Sequence, residues 1–275
     1  MTDRYAVIGN PISHTKSPMV QMAFAQQTGQ DMDYTAILGT PGGFKEDVDS
    51  FRRNGGRGLN VTAPFKLDAF RYATKLQEGA RLAGAVNCLL FEGEEVTGAN
   101  FDGVGLTRDI KHNLGFPMKG KRVLLLGTGG AARGALLPFL EQEPSELVMV
   151  DRTVETANAL GEQFAEYGTL VTTGYEQLAK ERGGYDIVVN ATSASLRNEL
   201  PPVLPSAFGA GCLAYELLYG KGLTPFLRLA KDAGVQHVAD GVGMLVEQLA
   251  EAFEWWRGVR LDTAPMIKKL TVPLV

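Results

Sequence analysis

Val123-Leu124-Leu125-Leu126-Gly127-Thr128-Gly129-Gly130-Ala131-Ala132 decides the architecture. Four consecutive branched aliphatics suit a strand buried on both faces, as in the middle of a parallel sheet. The small residues that follow fit G-x-G-x-x-A, and each has a physical reason. Gly127 permits a tight turn, Gly129 lets a pyrophosphate approach the backbone, and Ala132 lets the next helix pack on the strand. The N-terminus of that helix offers unpaired N–H groups to phosphate oxygens. Asp151 closes the next apolar run, where a carboxylate can accept hydrogen bonds from ribose hydroxyls. A dinucleotide-binding α/β unit is expected here.

Outward from this stretch, apolar runs and helical patterns alternate along the whole chain, the signature of α/β architecture. Strands are expected near 5–9, 34–38, 58–62, 86–91, 95–98, 122–126, 147–150, 186–190 and 212–216. Helices are expected over 17–29, 43–53, 103–113, 130–140, 154–167, 244–256 and 265–270. Ser17 reads as the cap of the first helix, with Pro18 at its first position. Pro201, Pro202 and Pro205 mark an irregular stretch before the last strand. The pattern changes at 101–103, so a boundary is placed there.

The 275 residues are 45% hydrophobic and 21% charged, with a formal net charge of −4. That composition is ordinary for a globular protein and lacks the basic footprint of nucleic-acid binding. Cys88 and Cys212 are the only cysteines and lie far apart, which argues against a disulfide framework or a cysteine-rich metal site. No signal peptide or membrane-spanning run is recognisable, so a cytoplasmic protein without membrane association is expected.

A second dense cluster lies in the first half of the chain. It comprises Asn60-Val61-Thr62-Ala63-Pro64-Phe65-Lys66, Gly84-Ala85-Val86-Asn87 and Asn100-Phe101-Asp102-Gly103. These residues fall at strand ends, where open α/β sheets place their ligands. A lysine, an asparagine and an aspartate meeting there can bind a polyol and move a proton. Taken singly, each also fits a bland role: Lys66 as a solvated helix-start residue, Asn87 in a turn, Asp102 as a helix cap.

The order and spacing of these motifs resemble the shikimate dehydrogenase family. So do Gly9-Asn10-Pro11-Ile12-Ser13-His14-Thr15-Lys16-Ser17-Pro18 and Asp240-Gly241-Val242-Gly243-Met244-Leu245-Val246. The resemblance implies an N-terminal α/β substrate domain over 1–102, joined by the C-terminal helices of 242–275. It implies a Rossmann-type, doubly wound nucleotide domain over 103–241, with the active site in the cleft. Lys66 and Asp102 become the catalytic pair. Thr15, Ser17, Thr62, Asn87, Phe101, Tyr219 and Gln248 are assigned to the substrate. Gly127, Thr128, Gly129, Gly130, Ala131, Asp151, Arg152, Leu217 and Gly241 are assigned to the cofactor, with Glu78 as a further contact.

The implied activity is reversible hydride transfer between a nicotinamide cofactor and the ring alcohol of shikimate, quinate or a close analogue, in a monomer or homodimer. One positioned acid/base suffices, so no metal is expected. The alternatives are a dehydrogenase of another hydroxy acid, or a non-catalytic nucleotide-binding regulator. Three positions depart from the family pattern. Thr15 stands for a serine. Phe101 replaces a threonine that reaches the substrate, so a raised KM for shikimate is expected. Asp151-Arg152-Thr153-Val154-Glu155-Thr156 replaces Asn-Arg-Thr-x-x-Arg, which leans the cofactor toward NAD and leaves NADP open.

Overall fold

Tyr5 and Val7 point into one apolar core, Ala6 and Ile8 into another. Strand β1 (Asp3–Gly9) is therefore buried on both faces and takes an inner place in a sheet. The computed structural model describes residues 2–180 and 183–275. Around β1 lie β2 (Met32–Leu38), β3 (Gly56–Val61), β4 (Lys75–Leu76), β5 (Cys88–Glu92) and β6 (Glu95–Ala99), in the order β2-β1-β3-β5-β6-β4. β1 runs parallel to β2 and β3, whereas β5 is antiparallel to both β3 and β6. Helices α1 (Ser17–Thr28), α2 (Phe44–Arg53), α3 (Lys66–Tyr72) and α4 (Glu78–Ala83) fill the connections. Lys16, not Ser17, occupies the cap position of α1, and Ser17 and Pro18 lie in its first turn. The Ser17 hydroxyl instead accepts a hydrogen bond from Thr15 Oγ1 at 3.2 Å.

Helix α5 (Asp102–Arg108) leads to the second sheet, formed by β7 (Arg122–Leu126), β8 (Glu146–Asp151), β9 (Leu170–Gly174), β10 (Tyr185–Asn190), β11 (Phe208–Glu216) and β12 (His237–Ala239). Its order is β12-β11-β10-β7-β8-β9 and every pair is parallel. Val123 and Leu125 face a core built with α6 (Gly130–Leu140) and α7 (Val154–Gln163). Leu124 and Leu126 face the opposite core, covered by α8 (Tyr175–Leu178) and α9 (Pro225–Asp232). The sheet is doubly wound, as expected. Two helices end earlier than their patterns suggest. α5 passes into a π-turn at Asp109–Asn113, where the Asp109 carboxylate accepts the buried Tyr215 hydroxyl at 2.7 Å. α7 stops at Gln163 because Phe164 turns into the core.

The C-terminal α10 (Val242–Arg257) returns to the first sheet, burying Val246, Leu249 and Phe253 with Tyr5, Val20 and Phe24, and α11 (Ala264–Leu270) packs Met266 there. α5 is wedged between α6 and α10 through bare backbone. A Cβ on Gly103 would stand 2.1 Å from Gly134 O, and one on Gly105 would stand 2.7 Å from Gln248 N. Neither neighbour can move aside as a flexible side chain would. Gly103→Ala is accordingly expected to cost about 3 kcal/mol, a fall in Tm of roughly 6–12 °C by thermal unfolding. An unchanged Tm would show that the two helices slide apart freely. No helix among the described residues is long and apolar enough to cross a membrane.

Candidate active site

Lys66 opens α3 just after β3, Asn87 directly precedes β5, and Asp102 opens α5 shortly after β6. β3, β5 and β6 are sheet neighbours, so three residues distant in sequence converge. Lys66 Nζ donates to Asp102 Oδ2 at 2.5 Å, and Asn87 Nδ2 donates to Asp102 Oδ1 at 2.9 Å. The aspartate side chain is 2% exposed and the lysine 26%, so the lysine is the member of the pair that solvent and substrate can reach. The Phe101 N–H donates to Asn87 Oδ1 at 2.9 Å. A backbone N–H can only donate, which fixes the orientation of the Asn87 amide. The same Nδ2 donates to Gln248 Oε1 at 2.9 Å. Gln248 Nε2 is left with no protein partner among the described residues.

A cavity of about 230 Å³ opens beside this pair, lined by Thr15, Ser17, Thr62, Lys66, Asn87, Tyr219 and Gln248. Tyr219 follows β11 of the second sheet and Gln248 belongs to α10, whereas the others come from the first sheet. The cavity therefore lies in the cleft. Thr15 and Ser17 place two hydroxyls side by side, a surface suited to a carboxylate. Burial pushes the Tyr219 hydroxyl above its ordinary pKa, which keeps it a neutral donor. Asn60 also lines the cavity, and its Oδ1 accepts the buried Tyr34 hydroxyl at 2.7 Å. Sequence reasoning quoted Asn60 without assigning it. Its signal was a polar side chain at the end of an apolar strand.

A second cavity, of about 300 Å³, is lined by Gly127, Thr128, Gly129, Gly130, Ala131, Asp151 and Arg152. Gly127 has φ +100°, in the region that favours glycine. Among the described residues, nothing beyond the adjoining backbone lies within 4 Å of where a Cβ on Gly129 or Gly130 would stand, so the start of α6 is open to a ligand. These features fit the pyrophosphate of a dinucleotide. Asp151 is already engaged: Oδ2 accepts Thr128 Oγ1 and Oδ1 accepts the Thr153 N–H, each at 2.9 Å. Arg152 is exposed and makes no hydrogen bond or ion pair among the described residues. Tyr175, Ser193, Arg197 and Glu199 also line this cavity and were missed from sequence. The available signal was Asn190-Ala191-Thr192-Ser193 at the end of β10, the neighbour of β7. Behind that loop, buried Glu216 Oε2 accepts Ser195 Oγ at 2.5 Å and Asn190 Nδ2 at 2.9 Å. Burial pushes the Glu216 carboxyl up, against the pull of these donors.

Five assigned residues lie outside the linings of the two cavities; one of them, Asp102, meets the smaller cavity only through Lys66. The Phe101 ring packs edge-to-face on Trp255, 5.6 Å between centroids, with Cys88, Ala99 and Ala252 around it. Its backbone serves Asn87 while its ring fills an apolar gap beside α10. Phe101→Thr is therefore expected to leave the KM for shikimate within about threefold and to cost roughly 1–3 kcal/mol of stability. A large gain in kcat/KM without loss of Tm would restore the ring to the substrate wall. Glu78 is paired with Arg81 at 2.6 Å and accepts the Tyr167 hydroxyl; these two contacts, the arginine foremost, bring its carboxyl down to about 2. It is bound into that surface cluster and does not line the nucleotide cavity. Leu217 and Gly241 form the seam between β11 and α10. A Cβ on Gly241 would lie 2.1 Å from Leu217 O, and the Leu217 N–H donates to Asn190 O at 3.1 Å.

A doubly wound sheet with an open glycine loop, joined across a cleft to a lysine–aspartate pair, defines a two-part, dinucleotide-dependent oxidoreductase. The comparisons give the family. The model described as shikimate dehydrogenase substrate binding domain matches residues 7–89, that of shikimate / quinate 5-dehydrogenase matches 109–198, and that of the shikimate 5'-dehydrogenase C-terminal domain matches 241–271. A Chromobacterium violaceum protein named shikimate dehydrogenase (NADP(+)) is 52% identical over 98% of both chains. The crystal structure of an Ael1 enzyme from Pseudomonas putida is 55% identical, with TM-score 0.96 over 100% of both chains. A shikimate 5-dehydrogenase from Listeria monocytogenes, in complex with shikimate and NAD, is 27% identical with TM-score 0.84, covering 98% of this chain and 96% of that one. The chain belongs to the shikimate dehydrogenase family.

Proposed function

We propose that the chain interconverts shikimate and 3-dehydroshikimate with NADP(H) as cofactor. The observation that carries this reading is the 2.5 Å Lys66–Asp102 contact at the wall of a small cavity rich in hydroxyl and amide groups. When bound, the nicotinamide supplies the hydride chemistry, and the protein positions, shields and moves the proton. Thr15 and Ser17 receive the carboxylate, and Gln248 Nε2 and Tyr219 receive ring hydroxyls. Lys66 Nζ delivers a proton to the ketone oxygen in reduction and takes it from the hydroxyl in oxidation. Asp102 holds the lysine in place by accepting its hydrogen bond, while Asn87 fixes Asp102. Proton transfer by a positioned group contributes roughly 10²–10⁴-fold.

For the cofactor, each Asp151 oxygen already accepts one hydrogen bond, from Thr128 or Thr153, and exposed Arg152 has no hydrogen bond or ion pair among the described residues. Together with the NADP(+) name of the close relative, this favours NADP over the NAD expected from Asp151 and the missing second arginine. A cytoplasmic setting agrees with two buried free cysteines. A purely regulatory role is disfavoured by the retained lysine, asparagine and aspartate, which such a protein has no chemical need to bring together. Initial rates of nucleotide reduction with shikimate and quinate, each with NADP+ and NAD+, test the proposal. The highest kcat/KM is expected for shikimate with NADP+, about tenfold or more above NAD+, the worth of one charge-assisted contact. No reduction with either acid would overturn the reading.

A further inference from the structure

The departure of Asp151-Arg152-Thr153-Val154-Glu155-Thr156 from the family pattern removes one of two arginines expected around the adenosine 2′-phosphate. The nucleotide cavity nevertheless has two arginines in its wall. Arg152 enters from the end of β8 and Arg197 from the single 3₁₀ turn Ala194–Arg197 that follows β10. We propose that Arg197 is the second 2′-phosphate ligand of this chain, completing a two-arginine clamp with Arg152 in the wall of the same cavity. The inference rests on the NADP(H) reading above and names the residue that makes it work.

The geometry of the loop prepares Arg197 for this part. Its Nη1 donates to Ser193 Oγ at 3.1 Å, which holds the guanidinium against the cavity wall. Its remaining charge is balanced by Glu199, with Nη2 to Oε2 at 2.9 Å, and both side chains are about half exposed, 50% and 56%. An exposed pair of this kind is held weakly and exchanges readily. A phosphate monoester carries about −1.5 to −2 charge and three acceptor oxygens, so it displaces a carboxylate from an arginine. Glu199 lines the same cavity, and the cations Arg197, foremost through its hydrogen bond, and Arg152 hold its carboxyl below the usual range. Both positive charges are thus felt at one point. Glu199 stands in for the phosphate when none is bound, and its own charge opposes the phosphate when one arrives. The position of Asn198 at φ +57°, just after the turn, puts Arg197 and Glu199 side by side. Pro201 and Pro202 follow and stiffen the segment.

The test is calorimetric titration of the full chain with adenosine 2′,5′-bisphosphate and with 5′-AMP, neither of which can react. Wild-type protein is expected to bind the bisphosphate about tenfold or more tightly than 5′-AMP. Arg197→Ala should remove about tenfold of bisphosphate affinity and leave 5′-AMP within about twofold. Glu199→Gln should act in the opposite direction and tighten the bisphosphate by about two- to fivefold. If Arg197→Ala retains the full advantage for the bisphosphate, or weakens both ligands alike, Arg197 is not a phosphate ligand. If the wild type binds the two ligands equally, the NADP(H) reading itself falls and the clamp with it.

Discussion

Lys66→Ala is expected to lower kcat by roughly 10²–10⁴-fold, the range of a positioned acid/base, while nucleotide affinity stays within about twofold. The asymmetry follows from where the residue sits. Lys66 opens α3 in the first sheet and lines the smaller cavity, whereas the glycine loop and Asp151 belong to the second sheet. Removing the ammonium leaves the buried Asp102 carboxylate with only the Asn87 amide as a side-chain partner. A proton is then delivered by water, without the orientation the helix start gave it. Arginine at this position should rescue little, because it keeps the charge but holds its protons too firmly to exchange them. The check is steady-state kcat with shikimate beside a nucleotide titration of the same variant. A variant with near-normal kcat would remove Lys66 from the chemistry.

Asp102→Asn is expected to lower kcat by about 10²–10³-fold and to cost roughly 1–3 kcal/mol of stability. The carboxylate is buried and accepts from two donors, Lys66 and Asn87. An amide offers one oxygen and one NH2 group, so one of those donors meets another donor at a side chain only 2% exposed. The substitution also removes the ionic partner that holds the lysine in position. KM should change less than kcat, since no substrate-facing hydroxyl is lost. A fall in Tm with unchanged kcat would make Asp102 a purely structural residue.

Much of this was legible in the sequence because of where the polar residues fall. β1 and β7 are short aliphatic runs with no alternative reading, and the motifs at their ends carry the two cavities. Edge elements were harder. β9 is only partly buried and β4 has two residues, so neither offers a clear period. α9 was overlooked although Thr224 caps it by accepting the Leu227 N–H and Pro225 follows directly. Phe101 shows a different limit. Adjacency to Asp102 says nothing about ring direction, which is set by Trp255 on a helix far along the chain. Arg197 has no motif of its own, only the Asn190-Ala191-Thr192-Ser193 run just ahead of it. It reaches the nucleotide cavity only because β10 lies beside β7, and that order is a property of the sheet.

In the proposed reaction a ring alcohol held beside Lys66 gives its hydride directly to the bound nucleotide. Shikimate carrying deuterium on the carbon of the oxidised hydroxyl tests it most directly, with the reduced nucleotide analysed by mass spectrometry. Deuterium is expected in the NADPH formed, with a slower rate than for unlabelled shikimate. Unlabelled NADPH, or no NADPH at all, would contradict it.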